Sequence, residues 1–406
     1  MNKPYFIGLD NGGSTSKCAV FDQNGEMLAT VSARLPMLKD RTGRTERDAE
    51  LIFQENCRLI REAMIAAQIQ ACDVSCLSLC GFGGGLGMLD ESGKPVGPFI
   101  ISTDSRANEM LAVMETDGTA QALRERTCQN LWAGQPALLL PWLKRHEPEL
   151  LARCRHIVMM KDYIRYRLTG VLGTDATDAS NTGLFNSAQR RFDRELFRIL
   201  QIEELYRCVP QTLFRPYEIA GHITPESSER TGLVAGTPVA AGLYDVTACC
   251  LGSGILTPDV LCLVLGTWSI CGHLEPELDH RKNVGTTLCS FLDGECFLEE
   301  SSPTSASNLD WFVDQFYRRM YAGDSRNIYE ICNGIVRNFD PALCDLIFLP
   351  YLYGSNSVQG AKGCFFNLAS HHTSDDMLSA VYEGVLFSLM DHIQRLYPGG
   401  YPAKAR

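Results

Sequence analysis

Asp10, Gly12, Gly13, Ser14, Thr15 and Lys17 crowd into one short stretch, GLDNGGSTSK, from Gly8 to Lys17. Glycines let a backbone approach a ligand closely, and successive N–H groups form an anion nest. The hydroxyls and the Lys17 ammonium add donors suited to a phosphate. Asp10 would then sit where a metal ion accompanies that phosphate. The stretch is not a P-loop, since G-x-x-x-x-G-K-[ST] is absent. It also reads as a plain β-hairpin. Tyr5-Phe6-Ile7 precedes it and Cys18-Ala19-Val20-Phe21 follows, so β-formers flank a Gly-Gly turn.

A second segment repeats the pattern. Asp259 to Leu265 reads DVLCLVL, followed by Gly266-Thr267-Trp268-Ser269 and Ile270-Cys271-Gly272-His273. Strand, Gly/hydroxyl turn, strand occurs twice, as if opening two similar domains. Two such turns facing one another could grip a polyphosphate, or they are two unrelated hairpins. Between them, Gly236 to Asp245 reads GTPVAAGLYD. A lone aspartate there is either a helix N-cap or a carboxylate presented to a substrate.

Strands and helices alternate along the chain, which predicts an α/β fold. Helices are expected from Asp48 to about Gln68, Leu138 to Lys144 and Lys161 to Leu168. Strands are expected at Val74 to Leu79 and Ile100 to Ser102. A last helix is expected to start at a Ser374 cap, with Asp375 and Asp376 at its positive end. Its apolar side would carry Met377, Leu378, Val381, Tyr382, Val385, Leu386 and Leu389. Cys72, Cys76 and Cys80 recur every fourth residue, but zinc would expect C-x-x-C pairs, so these read as small buried hydrophobes. His371 and His372 read as a solvated pair.

The chain of 406 residues suggests two or three domains, and 45% hydrophobic with 21% charged residues suits a sizeable core. The net charge of -11 argues against nucleic acid or an anionic membrane as partner. Seventeen cysteines without a secretory signal read as reduced thiols in a cytoplasmic chain. No run reaches transmembrane length.

Taken together, several long motifs in order resemble the FGGY carbohydrate kinases. GLDNGGSTSK and VLGTWSICG look like the family's two phosphate loops, and GTPVAAGLYD like the segment ending in its catalytic aspartate. TDATDASNTGLFN, Thr174 to Asn186, is similar to a segment of the first domain. GQPALLLPWLKRH fits the first family signature except at Leu139, and GCFFNLASHHTSDDMLSAVYE fits the second except at Asn367. Within the family, GLYDV, SSPTSASNLDWF, FLPYLYGSN and VMMKDYIRYRLTG are most similar to members acting on L-xylulose. Phe82 and Gly84 stand where those members tend to carry polar residues.

The resemblance implies an α/β fold of two actin-like, ribonuclease-H-type domains with a cleft between them. Their expected spans are 1–255 and 256–406, the second incomplete, because the family continues past the last helix to a strand and a Gly-Gly turn. It implies ATP-dependent phosphorylation of a ketopentose such as L-xylulose, with Asp245 as general base and Asp10 holding Mg²⁺. Gly12, Gly13, Ser14, Thr15 and Lys17 would meet one side of the phosphates, and Gly266 and Thr267 the other. The sugar would meet Phe82, Gly83, Gly84, Asp104, Arg106 and Trp132. Asp104 and Arg106 also read as a structural ion pair, and Trp132 as core. Glu46-Arg47-Asp48 resembles a family loop but also reads as a charged helix start, and it is not assigned to the site. The implied partner is a small sugar, with a homodimer as the expected assembly. Two other classes stand beside this one. The first is a defective remnant that binds sugar but not ATP productively. The second is an actin-like or Hsp70-like ATPase, which leaves the sugar-kinase signatures unexplained.

Overall fold

The computed structural model describes residues 4–13, 15–266, 268–278, 285–340, 342, 344–354, 361–397 and 399. The chain forms two compact units. The first runs to Gly254 and takes in a later segment, Thr287–Cys296; the second begins at Ile255 and holds Phe297 onward.

In the first unit, β1 (Tyr5–Asn11), β2 (Thr15–Phe21) and β3 (Met27–Arg34) form an antiparallel meander. Their period-two burial puts Ile7, Leu9, Cys18 and Val20 on the core face. Helix α1 (Ala49–Ala66) covers that face with Ile52, Phe53, Leu59 and Ile60. Its N-cap is Asp48, whose carboxylate accepts from the Leu51 N–H at 2.7 Å.

Strand β4 (Val74–Gly81) then pairs parallel with β1. Strands β5 (Ile219–His222), β6 (Pro238–Ala240) and β7 (Leu243–Tyr244) complete a seven-stranded sheet. Its order is β5-β6-β4-β1-β2-β3, with β7 also beside β4. A second core in this unit gathers Leu138, Leu139 and Leu140 of α2 (Pro136–His146) with Phe185, Leu196 and Phe197.

Helix α3 (Met160–Thr169) carries Lys161, Asp162 and Arg165 into a fully buried charge cluster. The Lys161 ammonium lies 2.6 Å from Asp162, 2.7 Å from Asp175 and 3.4 Å from Asp178. Burial alone would push that ammonium's pKa down, but the three carboxylates push it up. Burial, with Asp162 and Asp175 adding to it, holds Asp178 well above the usual carboxylate range. The pairing of Lys161 and Arg165 with these carboxylates is what lets so many charged groups sit without water.

In the second unit, β8 (Leu261–Leu265) and β9 (Ser269–Glu275) form an antiparallel hairpin, and β10 (Cys296–Ser302) lies beside β9. Helix α4 (Ser374–Leu396) packs on the strand Ile347–Leu349. Thr373, not Ser374, caps α4: its hydroxyl accepts from the Asp376 N–H while the Asp376 carboxylate accepts from the Thr373 N–H. This is a full capping box. The buried stripe of α4 runs through Leu378, Val381, Gly384, Leu389, His392 and Leu396. Leu386, expected on the apolar side, falls off that stripe and is half exposed.

Among the described residues none of the seventeen cysteines forms a disulfide, and no helix is long and apolar enough to cross a membrane.

Candidate active site

The parallel strands β1, β4 and β7 bring the candidate residues together. Asp10 lies opposite Cys80 and Asn11 opposite Gly81, while Leu243 lies opposite Cys80 and Tyr244 opposite Gly81. The carboxyl ends of neighbouring strands therefore converge on Asp10, Cys80 and Asp245. Open α/β sheets offer their ligand sites at such strand ends.

Asp245 is the first residue of the helix Asp245–Gly252, with Tyr244 at the N-cap position. Burial pushes its carboxyl pKa up to about 7, and the Asp10 charge adds to this against the Val246 N–H. The pKa of Asp10 is also raised by burial, opposed by the Cys80 thiol and by Lys17. The Cys80 Sγ donates to Asp10 Oδ1 at 3.5 Å, and Lys17 faces Asp10 across the hairpin ladder. Two carboxylates whose charges oppose one another suit a hard divalent cation such as Mg²⁺.

The turn after β1 is closed by the Gly12 N–H, which donates to the Thr15 carbonyl at 3.1 Å. The guanidinium of Arg47, 2% exposed, holds the turn from behind. Its Nη1 donates to the Gly12 carbonyl at 3.3 Å and its Nη2 to the Gly13 carbonyl. In a trans peptide the C=O and the next N–H point opposite ways. Holding the Gly12 carbonyl inward therefore turns the Gly13 N–H outward, as anion binding requires. Beneath the turn, Asn11 Oδ1 accepts from Ser16 Oγ at 3.2 Å and Asn56 Nδ2 at 2.8 Å. Sequence reasoning set Arg47 aside as part of a helix start; only its burial against two glycine carbonyls marks it.

Ser14 and Thr267 lie outside the described residues. Gly266 ends the β8 strand, and both its backbone groups are engaged. Its N–H donates to the Trp268 carbonyl at 3.1 Å, and its carbonyl accepts from the Ala306 N–H at 3.0 Å.

The sugar-directed residues divide. Gly83 and Gly84 follow directly on β4. A Cβ on Gly84, whose φ is +72°, would lie 2.9 Å from the half-buried Trp132 ring. The Phe82 ring, in contrast, is 5% exposed within the core beneath the sheet, so its aromatic face is not offered to a ligand. Asp104 and Arg106 are buried and spent. Arg106 Nε and Nη2 donate to Asp104 at 2.9 and 2.8 Å, and Nη2 also reaches Glu46 at 2.5 Å. Asp104 Oδ2 further accepts from the Thr45 N–H at 2.6 Å. The ion-pair reading of these two describes what the structure contains.

Asp345, His371 and His372 place ligand atoms within 4.8 Å of one another. The Ala369 N–H donates to His372 Nδ1 at 2.9 Å, which puts the ring proton on Nε2, 3.2 Å from Asp345. A metal bound through Nε2 needs that nitrogen bare, so with this tautomer His372 offers no ligand atom toward Asp345.

Residues 5–252 match the FGGY family of carbohydrate kinases, N-terminal domain. The chain is 35% identical over 393 residues to a probable L-xylulose kinase of Pasteurella multocida, covering 97% of this chain and 79% of that one. It is also 35% identical to the L-xylulose/3-keto-L-gulonate kinase of Escherichia coli, covering 97% and 77%. The fold matches the ligand-bound xylulose kinase of Lactobacillus acidophilus with a TM-score of 0.88 at 24% identity, over 99% of this chain and 80% of that one. A glycerol kinase of Plasmodium falciparum with ADP matches at 0.82 and 17% identity, over 98% and 79%. The chain belongs to the FGGY family of carbohydrate kinases.

Proposed function

We propose that this kinase transfers the γ-phosphoryl group of ATP to a hydroxyl of a ketopentose, with L-xylulose preferred and Asp245 as the general base. The observation that carries the reading is the convergence of Asp10 and Asp245 at adjoining strand ends, with Asp245 poised near pH 7. A base is most effective when its pKa lies near the working pH.

In this mechanism the Asp245 carboxylate takes the proton of the attacking sugar hydroxyl. The sugar oxygen bonds to the γ-phosphorus, the bond to the β-bridging oxygen breaks, and ADP leaves. Phosphoryl transfer of this kind needs alignment and charge neutralisation more than covalent help. The turn at Gly12 and Gly13, held by Arg47, offers its N–H edge to phosphate oxygens, with Thr15 and Lys17 beside it. For Gly266 the reading is limited to shaping a second turn, since its N–H is engaged. Asp10 would hold Mg²⁺, which when bound neutralises phosphate charge. Trp132 supplies an aromatic platform for a sugar face beside Gly83 and Gly84. The L-xylulose named for both relatives at 35% identity supports the ketopentose, although one of them is also named for 3-keto-L-gulonate.

A panel of pentuloses, aldoses and glycerol, read by ADP release, tests the proposal. L-xylulose should give the highest kcat/KM. Equal or better turnover of glycerol would overturn the ketopentose assignment.

A further inference from the structure

Asn181 ends the short helix Ala176–Ser180 and is 4% exposed. Its backbone is fully used: the N–H donates to the Asp178 carbonyl at 3.0 Å, and the carbonyl accepts from Gln135 Nε2 at 3.2 Å. Its side-chain amide has no hydrogen-bond partner among the described residues. The residue is nearly buried, yet its amide atoms are not among the fully buried unpartnered ones, so they remain open to solvent or to a ligand.

The position of this amide is specific. A Cβ on Gly83 would lie 1.8 Å from Asn181 Nδ2 and 2.7 Å from a Tyr244 ring carbon. Gly83 must therefore be bare for Asn181 to stand where it does. Tyr244 immediately precedes Asp245, and its N–H donates to Thr177 Oγ1 at 2.9 Å. Thr177 belongs to the same short helix as the Asn181 cap, and Asp175 caps that helix at its other end through the Thr177 N–H at 2.9 Å. The amide is thus fixed to the strand end that presents Asp245.

We propose that Asn181 is a substrate-binding residue whose amide hydrogen-bonds a hydroxyl of a neutral sugar, with Gly83 kept bare to admit it. An amide both donates and accepts, as a hydroxyl does, so the match is to a polyol. The buried basic side chains of this region, Arg106, Lys161 and Arg165, are held by carboxylates, which leaves none of them to bind a sugar acid. The assignment rests on the sugar-kinase reading above.

The experiment is titration calorimetry of the full chain with L-xylulose and with a sugar acid of similar length. The variants are Asn181→Ala and Asn181→Asp, with thermal melting as a folding control. The parent should bind L-xylulose and not the acid. Asn181→Ala should bind L-xylulose about tenfold more weakly, the worth of one or two hydrogen bonds, with a melting temperature equal to or above the parent's. Asn181→Asp keeps the shape and an acceptor but loses the donor, and should also weaken binding. Unchanged affinity in both variants overturns the role of Asn181 while the sugar-kinase reading stands. Comparable binding of the acid by the parent overturns the neutral-sugar assignment. A folded parent that binds no sugar overturns both readings.

Discussion

At the scale of the residue, GLYDV singles out Asp245 as the proposed base, but nothing in it carries the electrostatics. The raised pKa arises from burial at the end of β7 and from the charge of Asp10, and Asp10 is 235 positions away in sequence, 245 less 10. Two consequences follow for Asp245→Asn. Removing the proposed base should lower kcat by roughly 10²–10⁴-fold while sugar affinity, read by calorimetry, is largely kept; near-normal kcat would place the base elsewhere. Stability should move the opposite way. The folded pKa of about 7 lies above the ordinary value of 3.8, so the folded state binds the proton more tightly than the unfolded chain. The parent therefore loses stability as pH rises from 4 to 7, and the loss is complete above 7. Asparagine does not titrate. In nucleotide-free protein with chelator, Asp245→Asn should melt above the parent by a full margin at pH 8, and the margin should fade as pH falls towards 4. A margin that grew on acidification would contradict the shift. The sugar contacts were less legible. Phe82 and Asp104 have the chemistry of ligands, yet one packs in the core and the other is spent on Arg106 and Thr45. Asn181 escaped notice because only the close approach to Gly83 reveals its free amide.

At the scale of the element, the hairpins and the principal helices could be read from periodicity and capping, to within a few residues. The helix start at Asp48 was read, though not its role as the cap, and the α4 cap is displaced by one residue. In isolation Ser374 is the better cap and Thr373 the next best. The reciprocal bond from Asp376 decides for Thr373, because only that residue stands three before it. The brace on the phosphate turn shows the limit of local reading. Arg47 lies on the segment before α1 and reaches Gly12 and Gly13 only because the sheet and helix close over one another. Its fork holds two carbonyls at once, and lysine, with a single ammonium, cannot reproduce that geometry. Arg47→Lys should therefore raise the KM for ATP about tenfold, the worth of one charge-assisted hydrogen bond. The KM for the sugar should stay within about twofold, well inside that margin. Steady-state kinetics with each substrate varied in turn checks this, and equal rises in both constants would mean that Arg47 supports the whole unit rather than the turn.

At the scale of the whole molecule, the motifs foretold two domains of one family, and a linear division at residue 255 falls beside the break at Gly254. What no linear reading could supply is the return of Thr287–Cys296 to the first unit. Thr286–Cys289 reads TTLC, an ordinary strand, and nothing in its composition says which core it serves. The Thr287 N–H donates to the Cys128 carbonyl at 3.1 Å, and the Cys289 N–H donates to Ser180 Oγ at 3.0 Å. Cys289 itself is fully buried in the core built around Leu138–Leu140 and Phe185. Ser180 is the last residue of the short helix that ends in Asn181, so this return supports the candidate sugar site from beneath. Truncating the thiol should open a small cavity in that core. Cys289→Ala in the full chain should cost on the order of 1–2 kcal/mol, in the ordinary range for such a deletion. The location of the effect is the sharper expectation. Amide hydrogen exchange should quicken around Thr127–Gln129 and Ser180–Ser187, in the first unit, although the substitution lies far along the chain. Quickening confined to residues 297–397 would assign Cys289 to the second unit. It would also remove the route by which the later part of the chain steadies the helix carrying Asn181.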